Sequence, residues 1–329
     1  MSITIIKPGL FDTIQDLGRN GFACRGVNPG GVMDRFAARL ANALAGNPEG
    51  EAVLEIHFPG PQILFEKDAL ISLTGASFQP TINDEPVAGW QPLLVKKNTV
   101  LQFTRKAWGA RMYLSVRGGF CTSKWLDSAS THIKAGLGGY NGRKLERGDR
   151  LLFQQPVCSI DRHIKPEANH RALPWRPCIE KTYENLHDIY FTQGSEWNQL
   201  PGHSKKAVES QPFYLSPMSD RMGYRLRGAP LESGCEEELI SSAVNYGTMQ
   251  LLPGGEVIVL MADHQTTGGY PKIGHVISAH LPKLAQLSAG DPVRFYPASI
   301  EEAETFLFSQ EKDISIMQRA CMDHLNQIV

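Results

Sequence analysis

The segment ADHQTTGGYPKIG, Ala262 to Gly274, gathers Asp263, His264, Gln265, Thr266, Thr267, Tyr270 and Lys272 around Gly268 and Gly269. An imidazole can shuttle protons, amide and hydroxyl side chains can orient a ligand, and a lysine can hold an anion. Paired glycines let backbone come close to that ligand. A second cluster, LDSASTHIKAGLGGYNGR, sets Ser128, Ser130 and Thr131 ahead of Gly138, Gly139 and Arg143. Hydroxyls and free amides converging there suit a carboxylate or a phosphate. QDLGRNG, GVNPGGVMD and SDRMGYRL add Arg19, Arg221 and Arg225, whose forks suit bidentate anion recognition. Plainer roles fit the same residue types: a hydroxyl-rich loop capping a strand end, an arginine in a surface ion pair, an acid capping a turn.

Several familiar chemistries are excluded by spacing. GGYNGRKL lacks the phosphate-loop pattern, because Gly138 and Gly142 enclose three residues, Arg143 precedes Lys144, and Leu145 stands where a hydroxyl belongs. GLGGYN places Asn141 where a dinucleotide fingerprint needs its last glycine. His264, His275 and His280 fit no zinc spacing, so no metal site is expected in this chain. Neither HExxH nor GxSxG occurs. With 33 basic and 34 acidic side chains the net charge is −1, which argues against nucleic acid or an anionic membrane as partner. The amino-terminal MSITIIKPGLFDTIQDLG has no signal-peptide pattern, and runs such as EVIVLMA are too short to span a bilayer. Six scattered cysteines without a CxxC pair read as reduced thiols, so a cytoplasmic location is expected.

The elements that must position these clusters are mostly strands. EAVLEIHF, ALISLTGA, MYLSVRGG, HDIYFTQG and EVIVLMADH are β-branched and aromatic runs bounded by turn residues. RFAARLANALAGNP predicts a helix with Phe36, Leu40 and Leu44 on one face, capped by Asp34 and stopped at Gly46. The tail from Ser299 is a second helix candidate, with acids early and a second half expected to fray. Gln154 to Asp188 is polar, proline-bearing and aperiodic, so the domain boundary is placed inside it, giving units 1–165 and 166–300 and a helical tail 301–329. The class is mainly β, a β-rich α+β protein.

The two halves echo each other. KLERGDRLLF (Lys144 to Phe153) aligns without gaps to QLSAGDPVRF (Gln286 to Phe295), and a GGY tripeptide precedes each. Two elements in the same order on both sides of a linker indicate a duplicated β-rich unit.

TIQDLGRNG, GVNPGGVMD, SVRGG, SASTH, GGYNGRKLERGD, SDRMGYRL and ADHQTTGGYPKI together resemble the allophanate hydrolase subunit 2 family, from about residue 10 to 300. That family includes a biotin-dependent carboxyltransferase-like region of urea carboxylase, and a free-standing chain of this length most resembles its bacterial 5-oxoprolinase members, the C subunits of that enzyme. Gly30 departs from the usual serine, Val32 from alanine and Asp127 from glycine. The resemblance implies two cyclophilin-like β-barrel subdomains, which here would hold their polar loops along a shared groove. It implies a part in ATP-dependent opening of 5-oxoproline to L-glutamate, in an active site shared with a cyclophilin-like B subunit and completed by an A subunit. ATP with Mg is expected for the complex, and the chain alone is expected to be inactive. On that reading His264, Gln265 and Lys272 are the catalytic candidates. Arg19, Ser128, Ser130, Thr131, Gly138, Gly139, Arg143, Arg221, Arg225, Thr266, Thr267, Gly268, Gly269 and Tyr270 would bind substrate or phosphate. The family also admits a biotin-dependent carboxyltransferase, for which this chain has no carrier lysine, and a regulatory antagonist of a sporulation-kinase inhibitor.

Overall fold

In the computed structural model, which describes residues 2–153, 164–234 and 239–328, the chain falls into two units. The first comprises Met1–Gly18, Asp34–Cys178 and Asp313–Val329, the second Arg19–Met33 and Ile179–Lys312. This division differs from the expected break at 165/166, and local pairing explains why. A short strand at His170–Ala172 zips onto first-unit residues 93–95, while Asn28 and Gly31 hydrogen-bond to second-unit residues.

The first unit runs β1 (Ser2–Lys7), β2 (Thr13–Gln15), α1 (Arg35–Ala45), β3 (Val53–His57), β4 (Gln62–Phe65), β5 (Ala69–Ser77), β6 (Pro80–Ile82) and β7 (Glu85–Pro86). It continues with β8 (Pro92–Val95), β9 (Thr99–Phe103), β10 (Trp108–Val116), β11 (Arg150–Leu152) and β12 (His170–Ala172). These make two six-stranded sheets, β11-β1-β4-β9-β6-β7 and β12-β8-β5-β10-β3-β2. Alternate residues of both, such as Ile3, Ile5, Ile63 and Phe65 against Ile71, Leu73, Met112 and Leu114, share one apolar core. The other face of β5 and β10 carries Ser72, Thr74 and Ser115, all buried under α1. The alanines of α1 allow close approach there. Ser72 Oγ donates to Ala41 O at 2.6 Å, and Thr74 Oγ1 to Ala37 O at 2.8 Å. The helix starts and stops where its sequence predicts: the Asp34 side chain accepts from Ala37 N, and Gly46 closes the last turn.

The second unit contains α2 (Glu180–Tyr183), β13 (Asp188–Gln193), α3 (Gly202–Ser210), β14 (Phe213–Leu215), β15 (Gly223–Arg227), β16 (Ser242–Ala243) and β17 (Thr248–Leu251). There follow β18 (Val257–Leu260), β19 (Thr267–Gly268), β20 (Lys272–Val276), α4 (Leu281–Ala285), β21 (Pro292–Pro297) and α5 (Ile300–Ile328), whose residues from Asp313 onward count with the first unit. Seven strands close into a barrel, β13-β20-β17-β18-β15-β14-β21, sealed by the parallel pair β21–β13. Phe191, Phe213 and Phe295 pack edge and face within it. β16 and β19 form a separate two-stranded ribbon. Ser299 and Glu302 bond reciprocally as a capping box, and α5 then runs 29 residues unbroken, so the expected fraying of its second half is not found.

The sequence echo is an echo of geometry. Gly148 and Gly290 adopt φ 88 and 91°, the left-handed conformation that favours glycine. Asp149 accepts from Glu146 N and Asp291 from Ser288 N, at 2.7 and 2.8 Å. Each turn then exchanges backbone bonds with one strand residue, Ile5 in the first unit and Leu215 in the second.

Among the described residues Cys24, Cys121, Cys178 and Cys321 form no disulfide, while Cys158 and Cys235 lie outside them, as do residues 154–163 of the Gln154–Asp188 stretch. No described helix is long and apolar enough to cross a membrane.

Candidate functional site

Within the second unit, four of the motif segments meet. Arg221, 7% exposed, clasps Asp263 through Nε–Oδ2 and Nη2–Oδ1 contacts of 2.9 and 3.0 Å, and its Nη2 also donates to Gly31 O at 2.5 Å. Asn28 Nδ2 donates to Asp263 O at 3.0 Å, and Tyr246 OH to Met33 O at 2.7 Å. The segment GVNPGGVMD is thereby laid along the ADHQ loop. Arg19 is buried beside Gly30, where an added Cβ would stand 2.8 Å from its Nη1. Gly30 itself adopts φ 61°, in the left-handed region that favours glycine.

The loop itself leaves β18 and returns as β19 and β20. His264 is buried, and its Nδ1 lies 2.5 Å from Gln265 O. A carbonyl only accepts, so Nδ1 carries the proton and Nε2 is left as an acceptor. Burial pushes the imidazole below the ordinary histidine range, with the Gln265 carbonyl and Asp263 acting in the opposite sense. His264 is accordingly a neutral base at neutral pH. Gln265 is exposed, and its Nε2 approaches Gln250 Oε1 at 3.5 Å. Gln250, in the middle of β17 and 1% exposed, leaves its own Nε2 without a partner. That amide sits against Gly268, where a Cβ would meet it at 2.6 Å. Thr267 and Gly268 pair with Ala243 and Ser242 across the ribbon. Thr266 O accepts from Val244 N, Gly269 abuts Leu239 O, and Tyr270 projects 44% exposed. Lys272 Nζ donates to Ser242 Oγ at 2.7 Å and lies 3.7 Å from Glu196 Oε2, whose carboxylate also accepts from Lys272 N. Arg225 stands exposed on β15.

The hydroxyl cluster belongs to the first unit, and its centre is Asp16. Ser128 Oγ and Ser130 Oγ donate to Asp16 Oδ1 at 2.7 and 2.6 Å, Gly18 N to the same oxygen at 2.8 Å, and Ala129 N to Oδ2 at 2.6 Å. Thr131 Oγ1 donates to Ile14 O at 2.8 Å. Ser128, Ser130 and Thr131 are all buried, so these hydroxyls hold a carboxylate and a strand of their own protein instead of facing a ligand. Gly138 and Gly139 are buried behind them, Gly139 N donating to Ala129 O. Arg143, expected as an anion binder, makes a two-pronged pair with Asp149 at 2.7 and 2.7 Å and lies over the Tyr140 ring. Its fork pins the GD turn.

Asp16 and Gln250 carry more of the arrangement than spacing assigned them. A glutamine inside the apolar run TMQLL was the available signal for one, and the acid in QDLG for the other. Among the described residues no three His, Cys, Asp or Glu side chains gather as a metal site.

Residues 25–297 match the family model for the carboxyltransferase domain, subdomains A and B. The chain belongs to the carboxyltransferase domain family. It is 37% identical over 302 residues to the C subunit of 5-oxoprolinase from Escherichia coli, covering 92% of this chain and 93% of that one. It is 36% identical over 291 residues to the C subunit of the Haemophilus influenzae 5-oxoprolinase, covering 88% and 89%. The crystal structure of the Kluyveromyces lactis urea amidolyase superposes with a TM-score of 0.84 at 29% identity, over 96% of this chain but 20% of that much longer one. The carboxyltransferase-domain match spans both polar clusters except Asp16, Gly18 and Arg19, which precede it.

Proposed function

We propose that this chain is the C subunit of an ATP-dependent 5-oxoprolinase, acting in the cytoplasm with the A and B subunits to open 5-oxoproline to L-glutamate. The observation that carries the reading is 37% identity to the C subunit of E. coli 5-oxoprolinase along 92% of this chain. The geometry of the ADHQTTGGYPK loop supports it. The substrate is a small lactam bearing a carboxylate, and the loop offers neutral donors, close backbone and one acceptor imidazole. The exposed Gln265 amide and the unmatched Gln250 Nε2 beside Gly268 orient the ring by hydrogen bonds. Neutral His264 receives a proton at Nε2, and Lys272 is held ready by Ser242 and Glu196.

ATP with Mg, bound by the complex, would supply the driving force for an uphill ring opening in which water adds to the lactam carbon, the C–N bond breaks, and ADP and phosphate leave alongside L-glutamate. Arg143 and Arg221 do not fit a triphosphate-binding role, since each is already paired with a carboxylate, so no step through the nucleotide is assigned to them. The direct test is glutamate release from 5-oxoproline by the A and B subunits with and without this chain. Release that requires both ATP and the chain is expected; equal release in its absence would remove the reading.

The superposition on urea amidolyase favours a second reading, a carboxyltransferase acting on carboxybiotin. Carboxyl transfer to urea from a carboxylated biotin carrier, catalysed by this chain without the two other 5-oxoprolinase components, would select it.

A further inference from the structure

QDLGRNG and GGYNGRKL share a chemistry that the candidate site does not use. Each carries an asparagine directly before a glycine, Asn20–Gly21 and Asn141–Gly142, and no other Asn–Gly pair occurs in the chain. In such a pair the backbone nitrogen of the glycine can attack the neighbouring carboxamide, an intramolecular reaction that no side chain on the glycine obstructs. The attack needs a glycine N–H that is not held elsewhere and a backbone with room to turn.

The fold treats the two pairs oppositely. Gly142 N donates to Gly138 O at 2.8 Å, and the next amide, Arg143 N, donates to Tyr140 O at 3.3 Å. A Cβ on Gly142 would collide with the Gly136 backbone, so this segment cannot rotate without opening its turn. Asn20 and Gly21, by contrast, are both exposed. Chain neighbours apart, nothing lies within 4 Å of the place where a Cβ would stand on Gly21. Among the described residues no acceptor holds Gly21 N. The pair lies between two pinned points: Arg19 N donates to Pro29 O at 2.7 Å, and Arg25 N to Phe22 O at 2.9 Å.

We infer that Asn20 is a modification site, deamidated spontaneously through a succinimide, whereas Asn141 is protected by its turn. Gly21 N attacks Asn20 Cγ and the N–Cγ bond forms. The bond from Cγ to the side-chain nitrogen breaks, and that nitrogen leaves as ammonia with the proton from Gly21 N. Water then opens the five-membered imide at either carbonyl, giving aspartate or isoaspartate at position 20. Both products put a carboxylate where a neutral amide stood, and isoaspartate also adds one atom to the backbone inside the Arg19–Pro29 loop. The assignment is independent of the reading of the ADHQTTGGYPK loop, with which it shares no residue.

Timed incubation of the full chain at mildly alkaline pH tests it, in buffer and in urea, followed by digestion at acid pH and mass-spectrometric peptide mapping. In buffer, conversion at Asn20 is expected to run at least about fivefold faster than at Asn141, the factor that one hydrogen bond at Gly142 N puts on a barrier. In urea, where the turn is gone, the two rates should converge. Asn20→Gln should remove the product at position 20 and leave the conversion at Asn141 unchanged. Equal rates at the two asparagines in the folded chain overturn the inference. So does an Asn20 that stays intact in buffer over the time in which the unfolded chain is converted.

Discussion

Asp12 is 1% exposed, and its Oδ2 accepts from Gly9 N at 2.7 Å. Burial raises its pKa to about 7, against the lowering effect of the Gly9 and His57 backbone and of Lys144. A carboxyl whose folded pKa is raised holds its proton while the unfolded chain loses it. Its contribution is therefore favourable at low pH and is lost as pH rises from about 4 to about 7. Asp12→Asn should raise the melting temperature at pH 8 and change it little at pH 4; an equal shift at both pH values would contradict this assignment. Gln250→Leu removes a buried donor that lacks a partner, and is expected to keep or increase stability by about 1 kcal/mol in urea titrations. The polar character of these positions was legible in the sequence, but not their partners. Ser128 and Ser130 announce a hydroxyl cluster. That they point at Asp16, 112 and 114 residues earlier, depends on sheet register and chain return, which local spacing does not encode.

At the scale of elements, the Asp16 cluster ties the end of β2 to the loop before β11. Asp16→Asn converts a four-fold acceptor into a group that presents a donor to other donors. A loss of about 2–3 kcal/mol is expected in denaturant unfolding, with Ser130→Ala costing about 1 kcal/mol. A neutral result in both would show that the carboxylate is not the centre of this loop. α4 offers a second case. His280, its N-cap residue, accepts from Tyr190 N at 3.0 Å through Nδ1 and lies against Tyr190 and Phe306. Burial lowers its pKa to about 3, assisted by Lys283 and opposed by Asp188. The unfolded chain takes up this proton first, so the stabilisation is complete above about pH 6.5 and is lost as pH falls toward 3. His280→Gln should flatten the acid limb of the stability profile over that window, and an unchanged limb would exclude His280 as its source. Strand runs, α1 with its Asp34 cap, and the paired GD turns were readable from periodicity and punctuation. The placing of β12 and of Arg19–Met33 was not, because both are recruited by long-range pairing after polar or glycine-rich stretches that carry no periodic signal.

For the molecule as a whole, the two units share the GD turn and its paired backbone bonds to one strand residue, but use their polar side chains differently. The first unit spends its hydroxyls and Arg143 on internal architecture. The second keeps an exposed Gln265 and a neutral His264 in one loop, with an unmatched Gln250 donor on the neighbouring strand β17. If that loop is the substrate clamp, its exposed member can be removed without disturbing the fold. On the proposed 5-oxoprolinase reading, the decisive measurement is steady-state kinetics of this chain, as wild type or Gln265→Ala, assembled with the A and B subunits, with 5-oxoproline varied at saturating ATP. The account predicts normal assembly and melting temperature, with kcat/KM for 5-oxoproline reduced at least about tenfold. Wild-type kcat and KM in an assembled, stable variant would contradict it.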